Sequence, residues 1–517
     1  MGSQPRRMIA FEQHLELFSF ASLYQHYLLC RRHKRNTFNA LRFEARQELN
    51  LLELSAALQD RSYRPSASVC FVTERPKLRE IFAADFRDRI VHHVLVHELE
   101  RYWESVFIHD SYACRQDKGI HKAVDRLTQF IRSASGNGKR RAYYLQLDVR
   151  NYFMRIDKHL LWSLLKPHID SPEVLWLCKL LVFHDCTAHY SYKGKPGLLQ
   201  HMPPHKSLLQ SEAGKGLPIG NLNSQFFANV YLNCLDQFVK HQLKCRYYLR
   251  YCDDFVLLDT NPEQLVVWHE QIRRFLAEKL LLALNDNRDK LRPVGNGVDF
   301  LGYIVRADYR LVRRRVVNNL RSKLLDFARL MVQQQPEYTI YRFDADLLAQ
   351  CRSTLASYLG HLSHADSFDL RKSIWHDFSF LHQYFRIDST FLALQPLYEL
   401  PKQFSSARRQ NHWLNKQFSG DVLLFQVGCY YEFYHPAYDG LAVSLGLKPL
   451  KKNRRGARFG VPLSWGTHLA KRLLAEGRQV LWVTERDGLS AGGVKCRRPA
   501  ERWIGLAGKQ SADAKST

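Results

Sequence analysis

The chain has 517 residues, 45% of them hydrophobic and 24% charged, with a formal net charge of +26 and a pI near 9.6. That is room for about three domains of ordinary globular composition, and no apolar run is long enough to cross a bilayer. A basic surplus of this size argues for a polyanionic partner, nucleic acid ahead of anionic membrane.

Met1 to Phe20 carries Arg6 and Arg7, but Glu12 and Glu16 interrupt the apolar residues after them, so no signal peptide is expected. The eleven cysteines include no CxxC pair and fit reduced thiols in a cytosolic protein. Residues 1–65 read as a basic helical extension, with the cluster Arg31-Arg32-His33-Lys34-Arg35. One amphipathic helix is expected from Phe43 to Leu58, with Phe43, Leu49, Leu52 and Leu54 among its apolar positions.

Glu74 to Glu80 is a charged segment around Pro76, and Asp85 to His93 opens a helix. In Ser111-Tyr112-Ala113-Cys114-Arg115-Gln116-Asp117-Lys118-Gly119, two cations flank a turn where backbone can approach a ligand closely. Arg115 and Lys118 there suit a triphosphate, or else form a solvated basic loop.

Tyr144 to Val149 is a buried-strand pattern that carries a carboxylate at Asp148. Phe153, five residues on, could pack under a sugar or belong to the core. Leu160 to Leu181 reads as one helix. In the loop after it, His184, Cys186 and His189, with His201 and His205 beyond, are either polar loop residues or Zn²⁺ ligands at unfamiliar spacing. Gly216 to Gln225 is a Gly/Pro/Asn turn feeding a helix from Phe226 to Leu243, whose N-terminal N–H groups suit an anion or a base.

Arg246 to Leu258 reads as strand, tight turn, strand, with Asp253 and Asp254 at the tip. Adjacent carboxylates repel. Such a tip is either an ordinary acidic turn or a cation site suited to Mg²⁺. An acid at a strand end some 100 residues before a second strand bearing two is the arrangement that two-metal phosphoryl transfer requires, and it makes Asp148 and Asp253 the main ligands with Asp254 auxiliary.

Taken in order, Asp85–Arg89, Ser111–Gly119, Asp148 with Phe153, Gly216–Gln225, Tyr251-Cys252-Asp253-Asp254 and Phe300-Leu301-Gly302-Tyr303 resemble the motifs of bacterial reverse transcriptases of the group II intron and retroelement type, over about residues 35–330. The resemblance implies an α/β (α+β) right-hand polymerase with fingers, palm and helical thumb. It implies a catalytic triad of Asp148, Asp253 and Asp254, two Mg²⁺ ions (or Mn²⁺) held there with the Val149 carbonyl, and Phe153 as a steric gate. Arg115 and Lys118 would hold the nucleotide phosphates, Arg288 or Lys290 would stand near the leaving pyrophosphate, and Phe300, Leu301 and Gly302 would grip the primer. Most such enzymes carry Gln-Gly-x-x-x-Ser-Pro beside the nascent base pair. Here Ile219-Gly220 and Ser224-Gln225 stand in those places, the pattern of diversity-generating retroelements, whose enzymes misincorporate opposite template adenine. Ile219 has no amide to restrain nucleotide or template.

Residues 305–400 read as helices, the first made basic by Arg313, Arg314, Arg315, Arg321 and Lys323, and are expected to act as the thumb. No RNase H-like or HNH-like pattern comes after them, so target cleavage is expected to come from elsewhere. Gln403 to Asn411 reads as a polar linker. Beyond it, Gly428-Cys429-Tyr430-Tyr431-Glu432-Phe433, Gly460-Val461-Pro462 and Gly477 to Glu485 resemble the N-terminal mismatch-recognition domain of MutS proteins. The resemblance implies a small mixed α/β domain in which Tyr430 wedges into a stack and Glu432 contacts the displaced base; the alternative is a general duplex-binding or docking module, helped by Lys451-Lys452-Asn453-Arg454-Arg455.

The expected organisation is an N-terminal extension (1–65), fingers and palm (66–305), thumb (306–402), linker (403–412), MutS-like module (413–505) and disordered tail (506–517). The expected partners are template RNA, primer, cDNA, dNTPs and a small basic accessory protein, in a bacterial cytoplasm. The rival expectations are an intron-like or defence-associated reverse transcriptase without targeted mutagenesis, and an inactive polymerase that serves as a nucleic-acid-binding scaffold, against which Asp148, Asp253 and Asp254 argue.

Overall fold

A computed structural model of the chain describes residues 16–32, 37–74, 77–195, 197–286, 289–400, 404, 406–434, 437–447, 449–453, 456–489 and 493–506. They form two compact units, Met1–Leu301 with Val305–Asp308, and Gly302–Ile304 with Tyr309–Thr517. Among the described residues no helix is long and apolar enough to cross a membrane. Arg288, the side chains of Lys451–Arg455 and the tail beyond Leu506 lie outside the described residues.

The first unit opens with α1 (Phe20–Arg31), α2 (Phe38–Glu44) and α3 (Gln47–Gln59). The single helix expected from Phe43 to Leu58 is therefore broken, at Ala45–Arg46, where Arg46 leaves helical geometry at φ −137°, ψ 43°. The break resets the phase. Leu51, Leu54 and Leu58 make the buried stripe of α3, while Leu49 and Leu52 face outward. Strands β1 (Ser68–Thr73) and β2 (Arg79–Ala83) form an antiparallel hairpin, Val69 opposite Ala83. Helix α4 (Phe86–Val106) starts where expected, because the Asp85 carboxylate accepts the Arg87 N–H at 3.1 Å.

Helix α5 (Ile120–Ser135) ends on left-handed Gly136 and leads to β3 (Tyr143–Asp148). Short α6 (Tyr152–Arg155) and α7 (Lys158–Leu165) come next, then α8 (Pro172–Phe183). The sequence predicts one helix across α7 and α8. The chain turns instead at Ser171, whose hydroxyl caps α8 by accepting from Val174 N–H, with Pro172 in the first helical position, where its missing N–H costs nothing. Strand β4 (Tyr190–Tyr192) pairs parallel to β1. Then come α9 (Leu222–Gln237), β5 (Tyr247–Tyr251), β6 (Asp254–Asp259), α10 (Pro262–Leu280), β7 (Lys290–Pro293) and β8 (Val298–Phe300). The sheet that matters for function is four-stranded and antiparallel, in the order β5-β6-β3-β7. Helices α5 and α10 pack on it, and Leu145, Leu147, Phe255 and Leu257 join a core with α9 residues such as Phe227 and Tyr231.

The second unit holds β10 (Arg310–Val312), which comes after β9 (Tyr303–Val305), then α11 (Arg314–Met331), β11 (Val332–Gln334), β12 (Tyr338–Arg342), α12 (Ala345–Leu362), α13 (Phe368–Asp377), β13 (Phe385–Ile387) and β14 (Leu394–Pro396). It continues with α14 (Ala407–Gln417), β15 (Asp421–Val427), β16 (Tyr430–Tyr434), α15 (Asp439–Ser444), β17 (Pro449–Asn453), β18 (Gly456–Pro462), α16 (Gly466–Ala475), β19 (Gln479–Leu489) and β20 (Lys495–Gly505). Here the structure differs from the sequence reading. Residues 332–342 are strands rather than helix, most of the expected linker is α14, and one eight-stranded sheet runs β11-β12-β20-β19-β15-β16-β18-β17. Strand β12 pairs with β20 from Tyr338 opposite Gly505 to Arg342 opposite Glu501. The run Tyr338-Thr339-Ile340-Tyr341 is rich in the aromatic and β-branched residues that favour a pleated surface, and Tyr338 stacks on Trp503 at 4.9 Å. Arg502 adds a tie, donating to both Asp421 oxygens at 2.7 Å and to Gln383 and Gln479. Burial pushes the Asp421 carboxyl's pKa up, and Arg502 pulls it back only in part.

Candidate functional site

Tyr251 pairs with Asp254, which leaves Cys252 and Asp253 as the two central residues of the β5–β6 hairpin. Two-residue hairpins match strand twist only when the first central residue is left-handed, and Cys252 sits at φ +58°. Across the sheet Asp148 is the register partner of Asp254, which puts their side chains on one face with Cβ atoms about 4.5–5.5 Å apart. The Val149 N–H donates to the Asp253 carbonyl at 3.1 Å and ties the hairpin tip to the end of β3. Neighbours aim the carboxylates. Asn285 Nδ2 donates to Asp148 at 2.9 Å, and Gln146 Nε2 donates to Asp254 at 3.1 Å. Lys290 is the β7 register partner of Gln146, so it stands on the same face.

Beneath the turn lies a fully buried ion pair. Arg250 donates to the Asp236 carboxylate through Nε at 2.8 Å and Nη2 at 2.6 Å, and through Nη1 to the Cys252 carbonyl at 3.0 Å. Burial works against the guanidinium's charge, but Asp236 outweighs it and keeps the Arg250 pKa above its ordinary value. The signal in the sequence was a lone cation inside an apolar strand and a lone acid inside the apolar helix α9. Sequence reasoning passed over both, and over Gln146 and Asn285.

The Gly216–Gln225 loop is held against the segment after β3. Gly216 N–H donates to Ile156 and Leu217 N–H to Phe153, both at 2.8 Å. Phe82 N–H in β2 donates to the Ile219 carbonyl at 3.1 Å. Gly220 has φ +118°, and a Cβ there would lie 2.8 Å from Ile81 Cγ2, so no larger residue fits without movement. Phe153 and Ile219 pack on one small apolar cluster with Cys70, Phe82 and Leu208. Gln225 is half-buried in the first turn of α9. The Asn221 amide oxygen accepts from Ala84 N–H at 3.0 Å instead of capping that helix.

The Ser111–Gly119 turn is pinned beside β5, with Arg250 N–H donating to Asp110 at 2.9 Å and Tyr112 N–H to Arg250 at 3.0 Å. Its two cations differ. The Arg115 guanidinium is used within the protein, on Glu104 at 2.8 Å and on the Ile108 and Ser111 carbonyls at 2.8 and 2.9 Å. In this conformation it braces the turn, and contact with a phosphate would require Glu104 to let go. Lys118 donates to the His109 carbonyl at 2.9 Å over the Tyr112 ring; burial and then Arg115 lower its pKa. Phe300 is a fully buried core residue. Leu301 and Gly302 follow it with left-handed backbone, at φ +48° and +94°. Tyr303 points elsewhere, with its hydroxyl donating to the His361 carbonyl at 2.8 Å.

Among the described residues, no three His, Cys, Asp or Glu side chains converge as a ready metal cage. At the loop after α8, Cys186 is buried and the His184 carbonyl accepts from Lys158 Nζ at 3.0 Å. At the aspartates the donor set still fits Mg²⁺. This ion binds through one or two carboxylates and completes its shell with water and substrate phosphate. Gln146 Oε1, buried beside Asp254 with no partner among the described residues, is a free acceptor for such water.

In the second unit Tyr430 is 42% exposed at the start of β16, a ring available for stacking. Glu432 is buried and accepts from the Tyr434 hydroxyl at 2.7 Å. The turn before Tyr430 is anchored by Glu485, which accepts from Gly428 N–H at 3.1 Å and from Arg497 at 2.6 Å.

The sheet thus carries Asp253 and Asp254 at one hairpin, with Asp254 opposite Asp148 across the ladder. Residues 73–305 match the family model described as reverse transcriptase (RNA-dependent DNA polymerase), and that stretch is a reverse transcriptase domain. The chain is 25% identical over 326 residues to the protein YkfC of Escherichia coli K12, covering 56% of this chain and 80% of that one. It is 20% identical over 369 residues to the group II intron-encoded protein LtrA of Lactococcus lactis subsp. cremoris, covering 59% of this chain and 57% of LtrA. The chain thus spans just over half the length of the intron-encoded relative. Among solved structures it is similar to telomerase from Candida albicans in complex with telomeric RNA (TM-score 0.33, 10% identity, 65% of this chain and 64% of that one) and to apo telomerase from Candida tropicalis (TM-score 0.36, 12% identity, 64% and 60%).

Proposed function

We propose that the chain is the error-prone reverse transcriptase of a diversity-generating retroelement, which copies a template-repeat RNA into cDNA from dNTPs in a bacterial cytoplasm. The observations that carry the reading are the apposition of Asp148 and Asp254 and the apolar cluster shared by Phe153 and Ile219. Asp148, Asp253, Asp254 and the Val149 carbonyl would hold two Mg²⁺ ions, or Mn²⁺ in their place. Ions so held acidify the primer 3′-hydroxyl and neutralise the leaving pyrophosphate. Asn285 and Gln146 fix the carboxylate orientations, Phe153 closes the space under C2′ of the sugar, and Lys118 and Lys290 supply positive charge for the phosphates. Ile219 places a methyl-bearing wall where an amide would restrain the pair, and Gln225 stands behind it.

The second unit is proposed as a MutS-like duplex-binding module. Its support is the run Gly428 to Phe433 and the exposed Tyr430 ring. Glu432 would reach a displaced base only after giving up Tyr434, so Tyr430 stacking is the primary contact. The module would handle the mispaired or RNA–DNA duplex such an enzyme leaves, alongside or in place of a small basic accessory protein. The similarity to LtrA favours a second reading, an intron-type enzyme without a mutagenic programme.

The test is primer extension on an RNA template with Mg²⁺, then sequencing of the cDNA. Errors concentrated at template adenines are expected, and no product from the Asp253→Ala/Asp254→Ala protein. Errors spread evenly over the four template bases would move the chain to the intron type. Incorporation that survived the double substitution would sink the site assignment. For the module, Tyr430→Ala should weaken binding to mismatched duplex by about 1–3 kcal/mol; equal affinity in both proteins would refute the stacking role.

A further inference from the structure

We propose that Arg250 is a positioning residue of the polymerase site: with Asp236 and Asn229 it locks the Cys252–Asp253 turn and the Ser111–Gly119 turn to one another. The inference rests on the polymerase reading and adds a device to it. Arg250 serves both turns at once. Its Nη1 donates to the Cys252 carbonyl at 3.0 Å and to Asn229 Oδ1 at 3.2 Å, and Asn229 Nδ2 passes the connection to the Ala113 carbonyl at 2.8 Å. Its own backbone N–H and carbonyl bridge Asp110 and Tyr112. Asp236 takes the remaining guanidinium donors and the Tyr248 hydroxyl at 2.7 Å. Arg250 and Asp236 are both wholly inaccessible to solvent.

Stability alone does not explain such a pair, since two well-packed apolar residues of the same volume generally serve as well or better. What an apolar pair cannot do is donate a hydrogen bond. The hairpin tip lies beyond the β5–β6 ladder, and its Cys252 carbonyl belongs to a left-handed residue. Without the guanidinium, that carbonyl and the Ala113 carbonyl lose the shared anchor that sets Asp253 relative to Lys118. The Asp253 carboxylate would then sample positions outside the metal-binding corner.

The test is the paired substitution Arg250→Met with Asp236→Leu, which removes the donors without stranding a buried charge. Three readouts are taken on the full-length chain: melting temperature, amide hydrogen exchange, and Mg²⁺-dependent incorporation on a primed RNA. The expected result is a retained melting transition with exchange raised at least about 10-fold within residues 110–114 and 251–254 but not in β3 or α9. The Mg²⁺ concentration for half-maximal rate should rise several-fold, with kcat down about 10–100-fold. If the pair only props up the core, the melting temperature changes while exchange in the two turns and the Mg²⁺ requirement stay as in the wild type, and the inference is overturned. Should the double variant not fold, Arg250→Lys is read by the same criteria: it keeps a charge for Asp236 but has no second nitrogen for Cys252. A wild-type chain that incorporates nothing would sink the polymerase reading alone; unchanged exchange in the two turns would sink this inference alone.

Discussion

Asn285 holds Asp148 twice, by its backbone N–H to the Asp148 carbonyl at 2.8 Å and by its side-chain amide to the carboxylate at 2.9 Å. The first bond fixes where β3 ends. The second fixes which carboxylate oxygen faces the corner shared with Asp254. Groups that orient a metal-binding carboxylate are typically worth about 10–100-fold in metal affinity or activity. Asn285→Ala should therefore lower single-nucleotide incorporation by that factor and raise the Mg²⁺ requirement, leaving primed-RNA affinity as it was. Equal rates at limiting Mg²⁺ would show that the Asp148 rotamer needs no help.

Phe153 and Ile219 reach the site from distant parts of the chain and meet on one apolar cluster. The Phe153 backbone is also fixed, its carbonyl accepting from Leu217 N–H at 2.8 Å, and in the proposed reading this ring sets the space under the sugar. Phe153→Ala should cut discrimination against ribonucleotides by roughly 10–200-fold, the range open to a steric contact of this size. The check is the ratio of kcat/KM for dATP and ATP. An unchanged ratio would reassign Phe153 to the core.

The strands, hairpin and loop of the β5-β6-β3-β7 sheet were legible in the sequence because their signals are local. An apolar run ending on Asp148, two adjacent acids at a hairpin and a glycine loop before a helix each need only neighbours to be read. The partners of these residues were not. Arg250 with Asp236, Asn285 with Asp148 and Gln146 with Asp254 are long-range pairs, and their meaning depends on a register that periodicity does not supply. Arg115 shows the same limit: its ion pair with Glu104, on the preceding helix, is not visible in the sequence. The second unit was least legible. The short strand Tyr338–Arg342 finds its partner more than 150 residues later, in β20.

That pairing makes the helical region and the C-terminal module interdependent. Leu320, Leu324 and Phe343 share one core with Leu414, Leu423, Val480 and Trp503. Ending the chain after Phe404 would leave β12 without β20 and expose side chains worth about 1.5–3 kcal/mol each. Several of these exceed the whole margin of a domain, about 5–15 kcal/mol. Residues 309–400 should then lose their cooperative melting transition and become sensitive to limited proteolysis. A truncated chain that kept both would show that a thumb can be separated from the module.

Acid should destabilise the first unit through His92. The ring is buried in α4, its Nδ1 has no partner among the described residues, and burial, reinforced by Arg89, lowers its pKa from 6.5 to about 3. A depressed folded-state pKa means that the unfolded chain takes up the proton first. The contribution of neutral His92 is therefore complete above pH 6.5 and is lost as pH falls toward about 3, at up to about 1.4 kcal/mol per pH unit. Asp88, one turn earlier on the same helix, has the opposite sign: burial raises its pKa, so its contribution is present at low pH and lost as pH rises through the folded value. A loss on acidification therefore cannot come from Asp88. Urea unfolding of the wild type and of His92→Phe at pH 7, 5.5 and 4.5 separates the terms. The wild type should lose stability faster than the variant over that range, by about one proton's worth of slope. Parallel curves would mean that the His92 pocket opens to solvent before the ring needs to titrate.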